Sequence, residues 1–292
     1  MAGKVYKVPL TFNSKMGFED LLYKQIEKGA FNQFEQYSKD LLSADPKYGE
    51  VFLYALSLAN QLSDSYFKDK VMLLGGFGVL GHMISVEGPD IVKHWRGSHD
   101  LDIACQTPEA VAYILRYFAS EEHQSLSLPD KKKAKFYDSA IEQLLGKTST
   151  CEGDIYYPSN SKYPTRIMVG NKELKSRDFK KADEVVVYDV PFKIHNKDGL
   201  LGMKLGVVTS ENLPRPKDIT DIYNLLGVCE RQGLDAEAIF NNFNEEEKGK
   251  LMDVFEHVGS RGNNYILIPP SVNFLSDLLQ LYHEETLLKN QQ

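Results

Sequence analysis

The chain has 292 residues, 42% apolar and 26% charged, a composition that supports one or two globular domains with a full core and leaves no fibrous, repeat or low-complexity reading. Its longest nearly uncharged apolar stretch, Val71 to Ile84, has 14 residues and four glycines, short of the roughly 20 that span a bilayer, so the expectation is a soluble protein with no membrane partner. Cys105, Cys151 and Cys229 form no C-x-x-C pair, which argues against a disulfide framework or structural zinc, and a net charge of −7 gives no general affinity for polyanions.

The opening MAGKVYKVPLTF carries no apolar run of leader length, and the expected location is cytoplasmic. Gly17 to Ala44 and Lys47 to Phe67, the latter opened by Pro46, have apolar residues at three-to-four spacing and read as amphipathic helices of an N-terminal extension, residues 1–70. Val71 to Leu74 is a short apolar run ended by Gly75 and Gly76, and Phe77 to Ile84 has helical spacing: a buried strand, a tight turn and a helix. After Gly88-Pro89, Arg96 to Ala104 alternates as a second strand with Asp100 and Asp102 on one face.

Helical patterns at Pro108 to Glu122 and Asp130 to Leu145 precede strands at Gly153 to Tyr157, Arg166 to Val169 and Glu184 to Ile194, the last rich in valine and closed by Pro191. Residues 131–181 hold 12 basic and 6 acidic residues, beginning with Lys131, Lys132, Lys133 and Lys135; a solvated face and a nearby anionic ligand both fit such a patch. From residue 197 the pattern is helical: Asp198 to Val208, Lys217 to Gln232, Ala236 to His257 and Ser271 to Leu288. Residues 230–292 are acidic, 11 against 5. The expected fold class is α+β, with a small mixed β-sheet and flanking helices in a core over 71–196 and a helical C-terminal part over 197–292.

An Asp-x-Asp on a strand sets two carboxylates about 7 Å apart on one face, within reach of one divalent cation or a pair. Two such charges repel, so a buried pair calls for a cation, whereas a pair at an exposed strand end calls for none. Glycines between a strand and a helix let backbone N–H groups approach a phosphate, although the turn alone also favours them. Glycine turn first and paired carboxylates second is an order suited to phosphoryl-type transfer, in which positioning and charge neutralisation do most of the catalysis.

Leu73-Leu-Gly-Gly-Phe-Gly-Val79 followed by Arg96-Gly-Ser-His-Asp-Leu-Asp-Ile103 resembles the glycine and D-x-D signature of the DNA polymerase beta-type nucleotidyltransferase superfamily. The form is closest to the branch that contains AbiEii-type toxins and antibiotic nucleotidyltransferases. A second block, Asp198-Gly-Leu-Leu-Gly-Met-Lys204-Leu with Arg215-Pro-Lys-Asp218-Ile-Thr-Asp221-Ile-Tyr-Asn-Leu225, is similar to that branch's lysine and R-x-K-D stretch. Together they cover about residues 71–226 in the family's order. Gly76 to Asp100 is longer than the usual spacing, which implies an insertion around Val86 to Trp95.

The resemblance implies a nucleotidyltransferase fold and a magnesium-dependent enzyme, with two Mg2+ ions or Mn2+ in their place, that transfers NMP from an NTP and releases pyrophosphate. The acceptor would be the 3′ end of tRNA in a toxin-like role, with a cognate antitoxin as partner, or a small hydroxylated molecule. Asp100 and Asp102 would hold the metal. Asp154 would be a third metal-binding or proton-accepting carboxylate, with Glu152 as the fallback. Ser98, with the backbone of Gly75 and Gly76, would touch the nucleotide phosphate, Lys204 would neutralise the triphosphate, and Asp218 and Asp221 would lie near Lys204 and the nucleotide.

Arg96 would pair with a carboxylate or phosphate. Ordinary structural roles compete with these: Lys204 can snorkel from a packed helix, and Asp218 and Asp221 can face a helix N-terminal dipole. His82 reads as packed core, Trp95 as a core or loop anchor, and Tyr156 and Tyr157 as packing or base-stacking aromatics. The alternative to an enzyme is a catalytically silent protein of this fold that binds a nucleotide or a protein partner.

Overall fold

The computed structural model describes residues 46–63, 65–98, 100–108, 110, 111, 113, 114, 117, 152–157, 165–170, 176–187, 190–208, 214–257 and 265–290. The helices expected over Gly17 to Ala44 and Asp130 to Leu145, most of that over Pro108 to Glu122, the lysine cluster at 131–135 and Cys151 lie outside the described residues.

The fold is mixed α+β. Strands β1 (Val71–Leu73), β2 (Asp100–Cys105), β3 (Glu152–Tyr157), β4 (Thr165–Gly170), β5 (Asp183–Val187) and β6 (Val190–Ile194) form one open six-stranded sheet in the order β3-β4-β2-β1-β6-β5. β2 runs parallel to β4 and β1 to β6, while the β1/β2, β3/β4 and β5/β6 pairs are antiparallel. β1 is buried at all three positions, as an uninterrupted apolar run in mid-sheet requires.

Two strand expectations need correction. The strand expected from Arg96 begins only at Asp100, because Gly97 takes φ 76° and breaks the extended run, turning Arg96 and Ser98 away from the ladder. The single strand expected over Glu184 to Ile194 is a hairpin, β5 and β6, with Val187 paired to Val190. Pro191 is tolerated in β6 because three-residue β1 pairs with β6 only at Ile194, leaving Pro191 laddered to β5 alone.

The helices are α1 (Pro46–Ser63), α2 (Gly75–Glu87), α3 (Ser176–Lys180), α4 (Lys197–Gly206), α5 (Pro216–Arg231), α6 (Ala236–Asn242), α7 (Glu245–His257) and α8 (Val272–Lys289). The one helix expected over Ala236 to His257 is broken at Phe243, whose backbone is extended (ψ 141°) while its ring is buried. Asn244 restarts the chain as α7 through a reciprocal cap: the Glu247 N–H donates to Asn244 Oδ1 at 3.0 Å and the Asn244 N–H to Glu247 Oε2 at 2.9 Å.

One buried apolar cluster runs from Phe52 on α1 through Leu101, Ile167 and Ile194 of the sheet to Leu226 on α5 and Leu278 on α8. α5 is buried at every position from Asp218 to Cys229 and packs against α2 and α4, so its first turn is held over the sheet end where Asp100 and Asp102 stand. Among the described residues no helix is long and apolar enough to cross a membrane.

Candidate functional site

The junction of β1 and α2 positions the first half of the site. Leu74 N–H donates to the Asp102 carbonyl at 2.9 Å, and α2 begins at once with Gly75, so the two glycines are its first residues instead of a separate turn. Gly75 has φ 56°, and a Cβ there would stand 2.0 Å from Asp102 Oδ2. A Cβ at Gly76 would stand 3.3 Å from both Arg96 Nη2 and Ser98 Oγ. Only the absence of side chains lets these polar groups close against the start of the helix.

Alternation along β2 places Asp100 and Asp102 half-buried while Leu101 and Ile103 are buried beneath them. Ser98 Oγ donates to Asp100 Oδ1 at 2.8 Å. Burial opposes ionisation of Asp100, but that hydrogen bond and the charges of Lys217, Lys204 and Arg96 outweigh it and hold the carboxyl below its ordinary value. Asp102 goes the other way. Burial and the Asp100 charge push it up to about 6, against the weaker pull of Lys204, Lys217 and Arg166.

Both carboxylates open into a cleft of about 790 Å³, within the size range of small-molecule and cofactor sites. Its floor follows the parallel β2/β4 register: Asp100 beside Arg166, Asp102 beside Met168, Ala104 beside Gly170. It passes from charged to small and apolar within two rows. Leu200, Met203 and Lys204 on α4, with Val207 just past its end at the same helical spacing, put one face along the cleft, and Arg215, immediately before α5, with Lys217 and Asp218 in its first turn, closes it.

Five charges form a network in the cleft wall, four of them lining the cleft and Asp221 behind them. Arg96 grips Asp221 with Nε and Nη2, at 2.7–3.1 Å, and Lys204 Nζ lies 2.7 Å from Asp221 Oδ2 and 3.7 Å from Asp218 Oδ1. Arg215 Nε donates to Asp218 Oδ2 at 2.5 Å. Asp218 and Asp221 are each 1% exposed, and their spacing of three turns both toward the same side of α5. Asp218 Oδ1 has no hydrogen-bond partner.

Of the residues singled out from sequence, Gly75, Gly76, Arg96, Ser98, Asp100, Asp102, Lys204 and Asp218 all line this one cleft. Asp221 is behind them, holding Arg96 and Lys204. Of β3 only the backbone is described. Its register puts Asp154 in the lateral row of Asp102 and Met168, two strands and so roughly 10 Å from Asp102, and puts Glu152 in the row of Ala104 and Gly170. The side chains of Asp154, Glu152, Tyr156 and Tyr157 lie outside the described ones. On β4, the strand next to β2, the neighbours of the two aspartates are Arg166 and Met168, and among the described residues no three acid, histidine or cysteine side chains converge.

The pair that could hold a metal is therefore Asp100 with Asp102. All-oxygen donors suit a hard divalent cation such as Mg2+ or Mn2+, and a cation would relieve the repulsion that raises Asp102. His82 is 2% exposed with Nε2 at 2.8 Å from the His195 carbonyl, a packed histidine away from the cleft, and Trp95 is buried edge-on against Phe77. Sequence reading missed Arg166, Lys217, Met168 and Met203 as site residues. Lys217 stood in plain view inside Arg215-Pro-Lys-Asp218, whereas Arg166 and Met168 enter only through the β2/β4 register. No protein-family model matches the chain, and no curated protein matches it.

Proposed function

We propose that the protein is a magnesium-dependent nucleotidyltransferase of the DNA polymerase beta-type fold, moving NMP from an NTP to an acceptor hydroxyl. The observation that supports this reading most is the convergence on one cleft of Gly75, Gly76, Ser98, Asp100, Asp102 and Lys204, drawn from separate stretches of the chain.

In this reading the nucleotide's phosphates lie in the cleft beside the start of α2, where Gly75 and Gly76 bring Asp102, Arg96 and Ser98 close to the helix N-terminus. Asp100 and Asp102 hold the divalent cation, which supplies charge neutralisation and orientation for the phosphates. Ser98 fixes Asp100 through its 2.8 Å hydrogen bond, so that the carboxylate is presented ionised. The acceptor oxygen bonds to the α-phosphorus, the bond to the β-phosphate oxygen breaks, and pyrophosphate departs. The acceptor's proton goes to a carboxylate, the part offered by Asp154. Ala104, Gly170, Met168 and Met203 give the base an apolar resting place.

The acceptor is the 3′ end of tRNA, with an antitoxin as regulator in a cytoplasmic setting, or a small hydroxylated compound. Incubation with each labelled NTP, magnesium and either total tRNA or a panel of hydroxylated compounds separates the two. Label transfer is expected in one arm and is lost in Asp102→Ala. Absence of transfer in every arm, with nucleotide binding by Asp102→Ala unchanged from the parent, would sink the reading.

A further inference from the structure

Of the basic side chains lining the cleft, Arg166 comes from β4 beside Asp100, and the four brought by the segment before β2, by α4 and by the start of α5 are not equivalent. Arg96 is committed to both oxygens of Asp221 and to the Gly97 carbonyl, and Arg215 to Asp218. Lys204 is 12% exposed and sits between two carboxylates that are themselves almost fully buried. Drawing its ammonium away to a phosphate would take a counter-charge from Asp221 and Asp218, each only 1% exposed, which is unfavourable.

Lys217 differs. It lines the same cleft, makes no ion pair among the described residues, and its charge bears on both Asp100 and Asp102. It is the second residue of α5, directly before Asp218, whose carboxylate is bonded to Arg215, so the helix start that carries Lys217 into the cleft lining is held.

We propose that Lys217, and not Lys204, is the cation that binds the nucleotide's phosphate chain, and that Lys204 is a positioning residue that keeps Asp218 and Asp221 in place. This rests on the nucleotidyltransferase reading for the identity of the ligand but not for the existence of the phosphate site. The division of labour reverses the one implied by sequence resemblance, in which Lys204 neutralises the triphosphate.

The test is calorimetric titration of the full-length protein with magnesium tripolyphosphate across a salt series, alongside thermal unfolding. Lys217→Met is expected to weaken binding at least tenfold, to flatten the dependence of Kd on salt, and to leave Tm unchanged. Lys204→Met is expected to lower Tm while keeping the parent's salt slope, and Lys204→Arg to restore Tm.

Loss of the slope in Lys204→Met with full retention in Lys217→Met overturns the proposal, as does failure of the parent protein to bind tripolyphosphate. Tripolyphosphate binding through Lys217 without NMP transfer from any NTP leaves the phosphate site standing and removes the enzymatic reading. Transfer with an unchanged KM for NTP in Lys217→Met does the reverse.

Discussion

At Gly75 a positive φ and a carboxylate oxygen 2.0 Å from where a Cβ would stand impose the same requirement from two sides. Gly75→Ala must either move Asp102 or rotate the start of α2. Backbone strain of this kind costs about 1–3 kcal/mol, and a displacement near 1 Å at a reacting centre costs about 100-fold in rate. Thermal unfolding and NMP transfer should both register the change, while Gly76→Ala, with 3.3 Å clearances to Arg96 and Ser98, should be milder on both.

Asp102 carries the opposite tension. Its carboxyl is pushed up to about 6 from 3.8, so the folded chain holds that proton more tightly than the unfolded one. Stability from this group is whole below pH 4 and is lost as pH rises through 6, up to roughly 3 kcal/mol by pH 7 without a cation. Asp102→Asn should therefore be more stable than the parent in chelator at pH 7 and indistinguishable from it at pH 4, read from denaturant midpoints. Equal stability at both values would contradict the burial and repulsion argued for this pair.

Between elements, the strongest tie is Asp221, which joins the segment before β2 to α4 and α5 through Arg96 and Lys204. Asp221→Ala leaves two cations, 13% and 12% exposed, without that counter-charge, and removal of one partner from such a buried network costs about 3–5 kcal/mol. A chemical-denaturation series should find a loss of that size, against less than 1 kcal/mol for a surface pair such as Lys193 with the exposed Asp69.

How much of this could be read in advance follows from the range of each interaction. The period-2 placement of Asp100 and Asp102, the β1-to-α2 junction and the shared side of Asp218 and Asp221 are local, and their spacing states them. Arg96 and Asp221 are 125 positions apart, and nothing in either neighbourhood names the other. The late start of β2 turns on one dihedral at Gly97, and the β5/β6 pairing interrupts a valine-rich run with no Asn-Gly or Asp-Gly to mark it. The break between α6 and α7 was legible in Asn244-Glu-Glu-Glu247, a capping sequence that a continuous helical period concealed.

At the scale of the molecule, the expected divisions at 70/71 and 196/197 both pass through one apolar cluster. β6 packs against α1 from before the first line, and α2 against α4 and α5 from beyond the second. A fragment of residues 71–196 would expose the buried face of α2, with Val79, Leu80 and Met83 at 2% exposure or less in the whole chain, and would also lose Lys204, Asp218 and Asp221 from behind Arg96. The fragment is expected to lack a cooperative thermal transition and to bind hydrophobic dye, whereas residues 1–292 should unfold in a single transition that far-UV and near-UV circular dichroism report at the same midpoint. A fragment that melts cooperatively would mean that the sheet with α2 can bury enough surface alone, and that the cleft is built between two bodies instead of inside one core.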